Sequence, residues 1–285
     1  MFHYSVRYLK RFAILLPGLF IAVLSVRDIF PYFDTKLPLA LAILVTYILA
    51  AYILIPFIIR LVRAFVPTNH LPLYCVTPDG FASDPLNIGI IATRRQLINT
   101  MESIGWSTAD PHSPSNLVHQ ILSTLLGWSY PNAPMSSLYL FGRKQDIAFE
   151  VPIEGTSAGS RHHVRFWATT YTNQNKLSVR TIHWHHRSAH VQGDNLLWVG
   201  AASLDSGIGP IKHNLQITHM IHPDTNAERD LITKQLKAAG LAKKVSTLTL
   251  QKPYQLNNRV LRGYLRADGK MSIIHLPDSQ QKPRP

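Results

Sequence analysis

Nine of the fourteen histidines fall between residues 162 and 222. The densest run is Arg161-His162-His163-Val164-Arg165-Phe166-Trp167. On a strand, successive side chains point to opposite faces. Arg161, His163, Arg165 and Trp167 then share one face, and His162, Val164, Phe166 and Ala168 share the other. The second face reads as core, with His162 its odd member. The first sets two guanidiniums and an imidazole in a row, a set suited to phosphate or carboxylate oxygens. The small-residue stretch Gly155–Ser160 just upstream can lend backbone N–H groups to the same anion. It is not a P-loop, because Gly-Lys-Ser/Thr is missing. Arg161, His162, His163, Arg165 and Trp167 are therefore the candidate ligand-binding residues. The competing reading pairs Arg161 and Arg165 with acids across the sheet, such as Asp205 or Glu154.

Two further clusters carry metal-ligand types. His183 and His185 share a strand face. His219-Met220-Ile221-His222-Pro223-Asp224 is followed by Glu228. His219, His222 and Asp224 are the candidate metal set, of the kind that holds Zn or Mn in hydrolytic sites, and His163 can join it. The spacing matches no His-Glu-x-x-His motif, and no cysteine pair is present. A structural histidine cluster is the alternative. Asp205 closes a strand before a Gly-containing loop, which makes it either a candidate catalytic carboxylate or a turn-forming residue. No Gly-x-Ser-x-Gly elbow supports a nucleophilic serine.

The elements that must position these residues follow from hydrophobic pattern and turn signals. Strands are expected over Leu71–Val76, Leu86–Ala92, Ser137–Phe141, Ile147–Val151, Arg161–Thr169, Ser178–Trp184, Leu196–Ser203, Ile211–Ile221, Val245–Leu250, Leu261–Leu265 and Met271–Leu276. Gly142-Arg143-Lys144 and Asp268-Gly269 read as hairpin turns. Thr93 caps a helix from Arg94 to Ile104 that Gly105 closes, and Ser113 or Ser115 starts another that ends at Gly127. Thr225-x-x-Glu228 reads as a capping box for a helix to Ala239, stopped by Gly240, with Asp224 at its positive start. Strands do not alternate regularly with helices, so the soluble part is expected to be one mainly antiparallel α+β domain.

Ahead of that domain lies a membrane segment. Residues 37–59 are 23 residues without a charge, long enough to cross a hydrocarbon core of about 30 Å. A shorter apolar run, residues 12–26, follows Arg7, Lys10 and Arg11, and is read as a first span over about residues 10–30. The expected organisation is a two-helix transmembrane hairpin in residues 1–69, a soluble domain over 70–276, and a disordered tail over 277–285. Five Lys/Arg residues flank one side of the hairpin and two the other, which places both termini in the cytoplasm.

The net charge of +13 is uneven. Residues 1–69 carry seven Lys/Arg against two Asp, residues 70–231 eleven against twelve Asp/Glu, and residues 232–285 eleven against two Asp. Basic residues thus crowd the membrane flanks and the C-terminal quarter. That suits anionic headgroups or a solvated face, and with a near-neutral middle it argues against nucleic acid. Cys75 is the single cysteine, so no intramolecular disulfide forms.

Several of these segments together resemble the LssY-like C-terminal domain family. They are Asp84-Pro85-Leu86-Asn87, Leu138–Asp146, Arg161–Trp167, Trp198-Val199-Gly200-Ala201 and Glu228-Arg229-Asp230. The resemblance covers about residues 70–250. It implies a bacterial, membrane-associated protein, from a family in which some members resemble fusions to lipid-phosphatase modules. It carries over no catalytic residue. The expectation is an inner-membrane protein whose soluble domain binds an anionic, phosphate-bearing ligand near the bilayer, with membrane lipids as partners. One alternative is a metal-dependent phosphohydrolase using Asp205 and the His219, His222, Asp224 set. Another is a scaffold among envelope or secretion proteins.

Overall fold

The computed structural model describes residues 16, 18–58, 72–78, 80, 82–111, 113–126, 128, 130, 132–140, 143–153, 161–172, 195–210, 217–257 and 264–277. The chain divides into two units, residues 1–67 with 76–81 and residues 68–75 with 82–285. The expected strand Ser178–Trp184, the loop Gly155–Ser160 and the tail after residue 277 lie outside the described residues.

In the first unit, Pro38 precedes the helix Leu39–Ile58. Among the described residues this is the one helix long and apolar enough to cross a membrane. Its middle, Leu49–Leu54, is π-helical. Upstream, Ser25–Ile29 is a π-helical turn and Phe30–Asp34 a short α-helix. Arg7, Lys10 and Arg11, the basic flank expected to open a first span, lie outside the described residues.

The second unit is α+β. Its strands are β1 (Tyr74–Val76), β2 (Ala82–Pro85), β3 (Ile88–Ala92), β4 (Ser107–Thr108), β5 (Tyr139–Leu140), β6 (Arg143–Lys144), β7 (Ile147–Pro152), β8 (Arg161–Thr172), β9 (Leu196–Pro210), β10 (Ile217–Ile221), β11 (Lys244–Thr249), β12 (Tyr254–Asn257), β13 (Tyr264–Ala267) and β14 (Lys270–His275). Its helices are α1 (Arg94–Ser103), α2 (Pro114–Leu126) and α3 (Asn226–Ala238). A large sheet runs β11-β14-β3-β9-β8-β7-β4, with β10 added on β9. A smaller sheet runs β2-β1-β5-β6, and β12 pairs with β13. The β14–β3 pair is parallel, and β9 is antiparallel to β3, β8 and β10.

Two cores follow from the alternation along β8 and β9. Val164, Phe166, Trp198 and Ala202 pack with Leu97 and Met101 of α1 and Ile232 and Leu236 of α3. Trp167, Val199 and Ala201 pack on the other side with Cys75, Leu86, Leu138 and Leu140, carried by the small sheet and its flanks. A large sheet covered on both faces explains why β3 is buried at every position. Gly200 sits where bulk is excluded: an added Cβ would lie 2.6 Å from Phe166 and 2.8 Å from Ile88.

Three local expectations need correction. The Asp268-Gly269 turn does not make a hairpin. Gly269 has the expected positive φ of 73°, but β14 pairs with β11 and β3 while β13 pairs with β12. The reason is burial: β14 buries Met271, Ile273 and Ile274 and so fits a covered interior position, whereas β13 alternates exposed and buried. Likewise β5 does not pair with β7. The intervening Arg143–Lys144 is itself a strand against β5, and β7, buried at its first four residues, joins the large sheet. Third, Thr225 is no capping-box residue. Its hydroxyl donates to the Arg266 carbonyl at 2.8 Å, and no side chain caps α3 in that position. Thr93 does cap α1, reciprocally with Gln96.

Candidate functional site

β8 alternates as its residue types require. His162 faces α3, and Arg161, His163, Arg165 and Trp167 face the small-sheet side. There the apolar core gives way to charge. Arg161 Nη1 donates to Glu150 Oε2 at 2.6 Å, and its Nε lies 3.9 Å from Asp205 Oδ2. Arg165 Nη1 donates to Asp84 Oδ2 at 2.8 Å, and Nη2 donates to Ser136 Oγ at 3.3 Å. His163 lies between two carboxylates, with Nε2 3.3 Å from Asp84 Oδ2 and Nδ1 3.4 Å from Asp205 Oδ1. Register brings Glu150 of β7, His163 of β8 and Ser203 of β9 side by side across three strands.

The network is buried: Glu150 and Ser203 are 0% exposed, His163 1%, Asp84 2%, Arg165 5% and Arg161 6%. Charges so removed from water persist only when paired. Among the described residues the pairing is nonetheless incomplete: Glu150 Oε1, His163 Nδ1, Arg165 Nε and Ser203 Oγ make no hydrogen bond there.

Burial sets the carboxylates apart. Desolvation pushes Glu150 up to about 7, against the opposing pull of Arg161. Desolvation also acts to raise Asp84, but hydrogen bonding from His163, the Arg165 charge and Ser83 together hold it at about 2. One carboxyl is thus ready to change protonation near neutrality while its neighbour stays ionised.

On the opposite face, His162 Nδ1 is 2.9 Å from both oxygens of Glu228 on α3, and that hydrogen bond raises its pKa above the ordinary value. Asp224 Oδ1 accepts from the Asn226 backbone N–H at 3.0 Å and so serves the start of α3. His222 Nδ1 accepts from the Asp224 N–H at 3.3 Å. The side chain of His219, like His183 and His185, lies outside the described residues. Among the described residues no three His, Cys, Asp or Glu side chains are placed to hold a metal ion.

The ligand set expected from the sequence therefore divides. Arg161, His163 and Arg165 converge in one network. His162 belongs to a second contact through the sheet, and Trp167 is core, its Nε1 donating to the Arg143 carbonyl at 3.2 Å. Asp205 is not at a strand end, since β9 continues to Pro210, and it joins the Arg161–His163 pair instead. The acids that pair with the arginines are Glu150, Asp84 and Asp205; Glu154 lies outside the described residues. Sequence reasoning missed Asp84, Glu150, Ser136 and Ser203. A lone carboxylate inside the apolar run Ile147–Val151 is the signal that points to Glu150.

The segments behind the family resemblance meet here in space. Asp84 holds Arg165 and His163. Asn87 donates to the carbonyls of Ala202 and Thr225 and accepts from the Ala202 N–H. Glu228 holds His162, and Arg229 Nη1 donates to both Asp268 oxygens at 2.9 Å. The family model described as LssY C-terminus matches residues 68–270, and the chain belongs to that family. No curated protein and no solved structure matches the chain.

Proposed function

We propose that this protein is membrane-anchored and that its LssY-like domain binds an anionic, phosphate-bearing ligand beside the bilayer, with the β8 network as the site. The observation that carries this reading is the set of buried polar atoms that the described residues leave without a hydrogen bond. Arg165 Nε and Ser203 Oγ are donors for which the described residues offer no acceptor. Each such buried group costs about 1–3 kcal/mol if left unpaired. Ligand oxygens would supply the missing acceptors. Glu150 fits the same role: protonated at a pKa of about 7, it loses its negative charge and gains a donor. Arg161 and Arg165 then formally offset Asp84 and Asp205, so an anion meets no net negative charge.

The helix Leu39–Ile58 supports membrane attachment. A second span upstream, an inner bacterial membrane and a cytoplasmic domain complete the proposal, on the apolar run 12–26, the family and the Lys/Arg bias. A reporter fused at residue 70 should read as cytoplasmic; an external signal overturns that orientation. A phosphohydrolase built on His219, His222 and Asp224 has less support, because His222 and Asp224 are engaged at the start of α3.

The test uses the full chain in detergent. Calorimetry with inorganic phosphate, glycerol phosphate and phosphatidic acid vesicles separates a free phosphate from a headgroup. Arg165→Lys keeps the charge beside Asp84 and removes Nε; Ser203→Ala removes the hydroxyl. Each should weaken binding about tenfold, one lost hydrogen bond's worth, and Ser203→Ala should do so with unchanged unfolding temperature. Affinity that survives both substitutions sinks the reading.

A further inference from the structure

From Pro111 to Gly142 the chain runs 32 residues without an Asp, Glu, Lys or Arg. The helix α2 lies inside this stretch. Ser113 Oγ accepts from the Asn116 N–H at 3.1 Å, and Pro114 follows at the first helical position. Ser123 is buried and Gln120 reaches the Pro134 carbonyl, so one side of the helix is held to the domain. The other side is not. Val118, Leu122 and Leu126 recur at i, i+4 and i+8, and they are 55%, 43% and 55% exposed. Trp128 extends the stripe at 56% exposed. His119 is stacked on Tyr130 at 4.1 Å, and a shallow groove lined by Pro114, Ser115, Val118, His119 and Leu122 runs along the same face.

A contiguous apolar stripe of this kind on a soluble domain marks an interaction site. The occupant follows from two further observations. First, the stripe lies in a run with no Asp, Glu, Lys or Arg, the nearest placed carboxylate being Asp110 behind Tyr130, and an exposed tryptophan ends it. That composition suits the boundary between headgroups and acyl chains, where the ring of Trp is favoured. Second, with Leu39–Ile58 in the membrane, as the proposed function has it, a bilayer is always within reach. Only residues 59–71, 13 in number, separate the end of the candidate span at Ile58 from Pro72. Fully extended, such a tether spans at most about 45 Å. A surface held that close needs little intrinsic affinity to stay engaged.

We infer that the exposed face of α2, with Trp128, is a docking surface for the lipid bilayer. It lies in the interface plane with Val118, Leu122, Leu126 and Trp128 against the acyl chains. The absence of Lys and Arg makes this contact indifferent to lipid charge and to salt, unlike an attraction carried by the basic C-terminal quarter. The inference does not rest on the anion-binding reading of the β8 network.

The test uses the full chain reconstituted in vesicles of phosphatidylcholine. Cys75 is buried, so a fluorophore sensitive to its surroundings can be placed at Val118→Cys, with Lys237→Cys on α3 as the reference. The label at 118 should shift to the blue and be quenched by lipids brominated on the acyl chain, the label at 237 should not, and salt should change neither. Leu122→Asp with Leu126→Asp should at least halve the quenching while leaving the unfolding temperature unchanged. A label at 118 that stays open to aqueous iodide overturns the inference. A label shielded from iodide but not quenched by lipid also overturns it, and assigns the stripe to a second copy or another protein.

Discussion

Arg165 Nη1 lies 2.8 Å from Asp84 Oδ2, and this pair, with His163 Nε2 3.3 Å from the same oxygen, fastens β8 of the large sheet to β2 of the small one. Both residues are buried, so neither charge has water to fall back on. Arg165→Ala should cost about 3–5 kcal/mol, because it leaves the buried Asp84 carboxylate with only His163 and Ser83 against it. Replacing both at once, Asp84→Asn with Arg165→Met, should cost less than Arg165→Ala alone. Chemical unfolding of the full chain in detergent decides this. If the double variant is the less stable one, the pair contributes more than charge neutralisation.

Glu150 and Asp84 should give stability opposite dependences on pH. A carboxyl raised from 4.5 to about 7 holds its proton in the folded state after the unfolded chain has lost it. Its contribution is complete below pH 4.5 and is lost as pH rises to 7, amounting to about 3 kcal/mol. His162, also raised, loses its contribution as pH climbs above 6.5. Asp84, lowered from 3.8 to about 2, contributes above pH 3.8 and loses its share as pH falls towards 2. Glu150→Gln should therefore flatten the fall between pH 4.5 and 7. Unfolding temperatures across pH 4 to 8 measure it, and an unchanged profile in Glu150→Gln refutes the assignment.

Ligand binding should follow the same carboxyl. If an anion sits beside Glu150, binding takes up a proton and weakens as pH rises through 7. Sulfate is the suitable probe, since its charge is constant there. In Glu150→Gln the affinity for sulfate should become independent of pH between 6 and 8. A wild-type affinity that is already flat over this range contradicts a role for Glu150.

Asn87 replaces missing ladder contacts with a side chain that satisfies three backbone groups of Ala202 and Thr225. Asn87→Ala should cost about 2–4 kcal/mol, since those groups are then left buried and unpaired. Asn87→Asp keeps the acceptor but loses two donors and adds a charge, so it should be at least as harmful. Thermal unfolding ranks the two. A loss under 1 kcal/mol for Asn87→Ala would mean that water fills the gap.

Gly200 offers a test of packing alone. An added methyl meets the Phe166 ring and Ile88, both fully buried, so Gly200→Ala should cost about 1–3 kcal/mol. Gly200→Ala with Phe166→Leu should recover part of that loss if the clash is the cause.

Much of this site was legible because strand alternation is a local property. The run Arg161–Trp167 divides its side chains between two faces as a pleated strand must, and Thr93 with Gln96 forms a reciprocal cap within four residues. The partners were not legible. Asp84 reaches Arg165 across 81 positions, and Asp205 meets His163 only because β9 runs past residue 203. Short turns misled for a related reason. Gly269 makes its turn, yet the neighbours of β14 are chosen by the burial of Met271 and Ile273, which depends on the whole sheet. Thr225 has the right residue three positions on, but the buried carbonyl of Arg266 competes for its hydroxyl, and His162 competes for Glu228.

The parallel pair β14–β3 also sets an order of events during synthesis. β3 is made early in the domain, and its neighbour in the sheet is the last strand described. Until residue 275 has left the ribosome, β3 has one open edge and β11 has no partner between them to close the gap. The helix Leu39–Ile58 emerges more than 200 residues earlier. The apolar helix is thus complete while the rest of the chain is still an incomplete sheet, and a premature stop before β14 would leave β3 with an open, aggregation-prone edge.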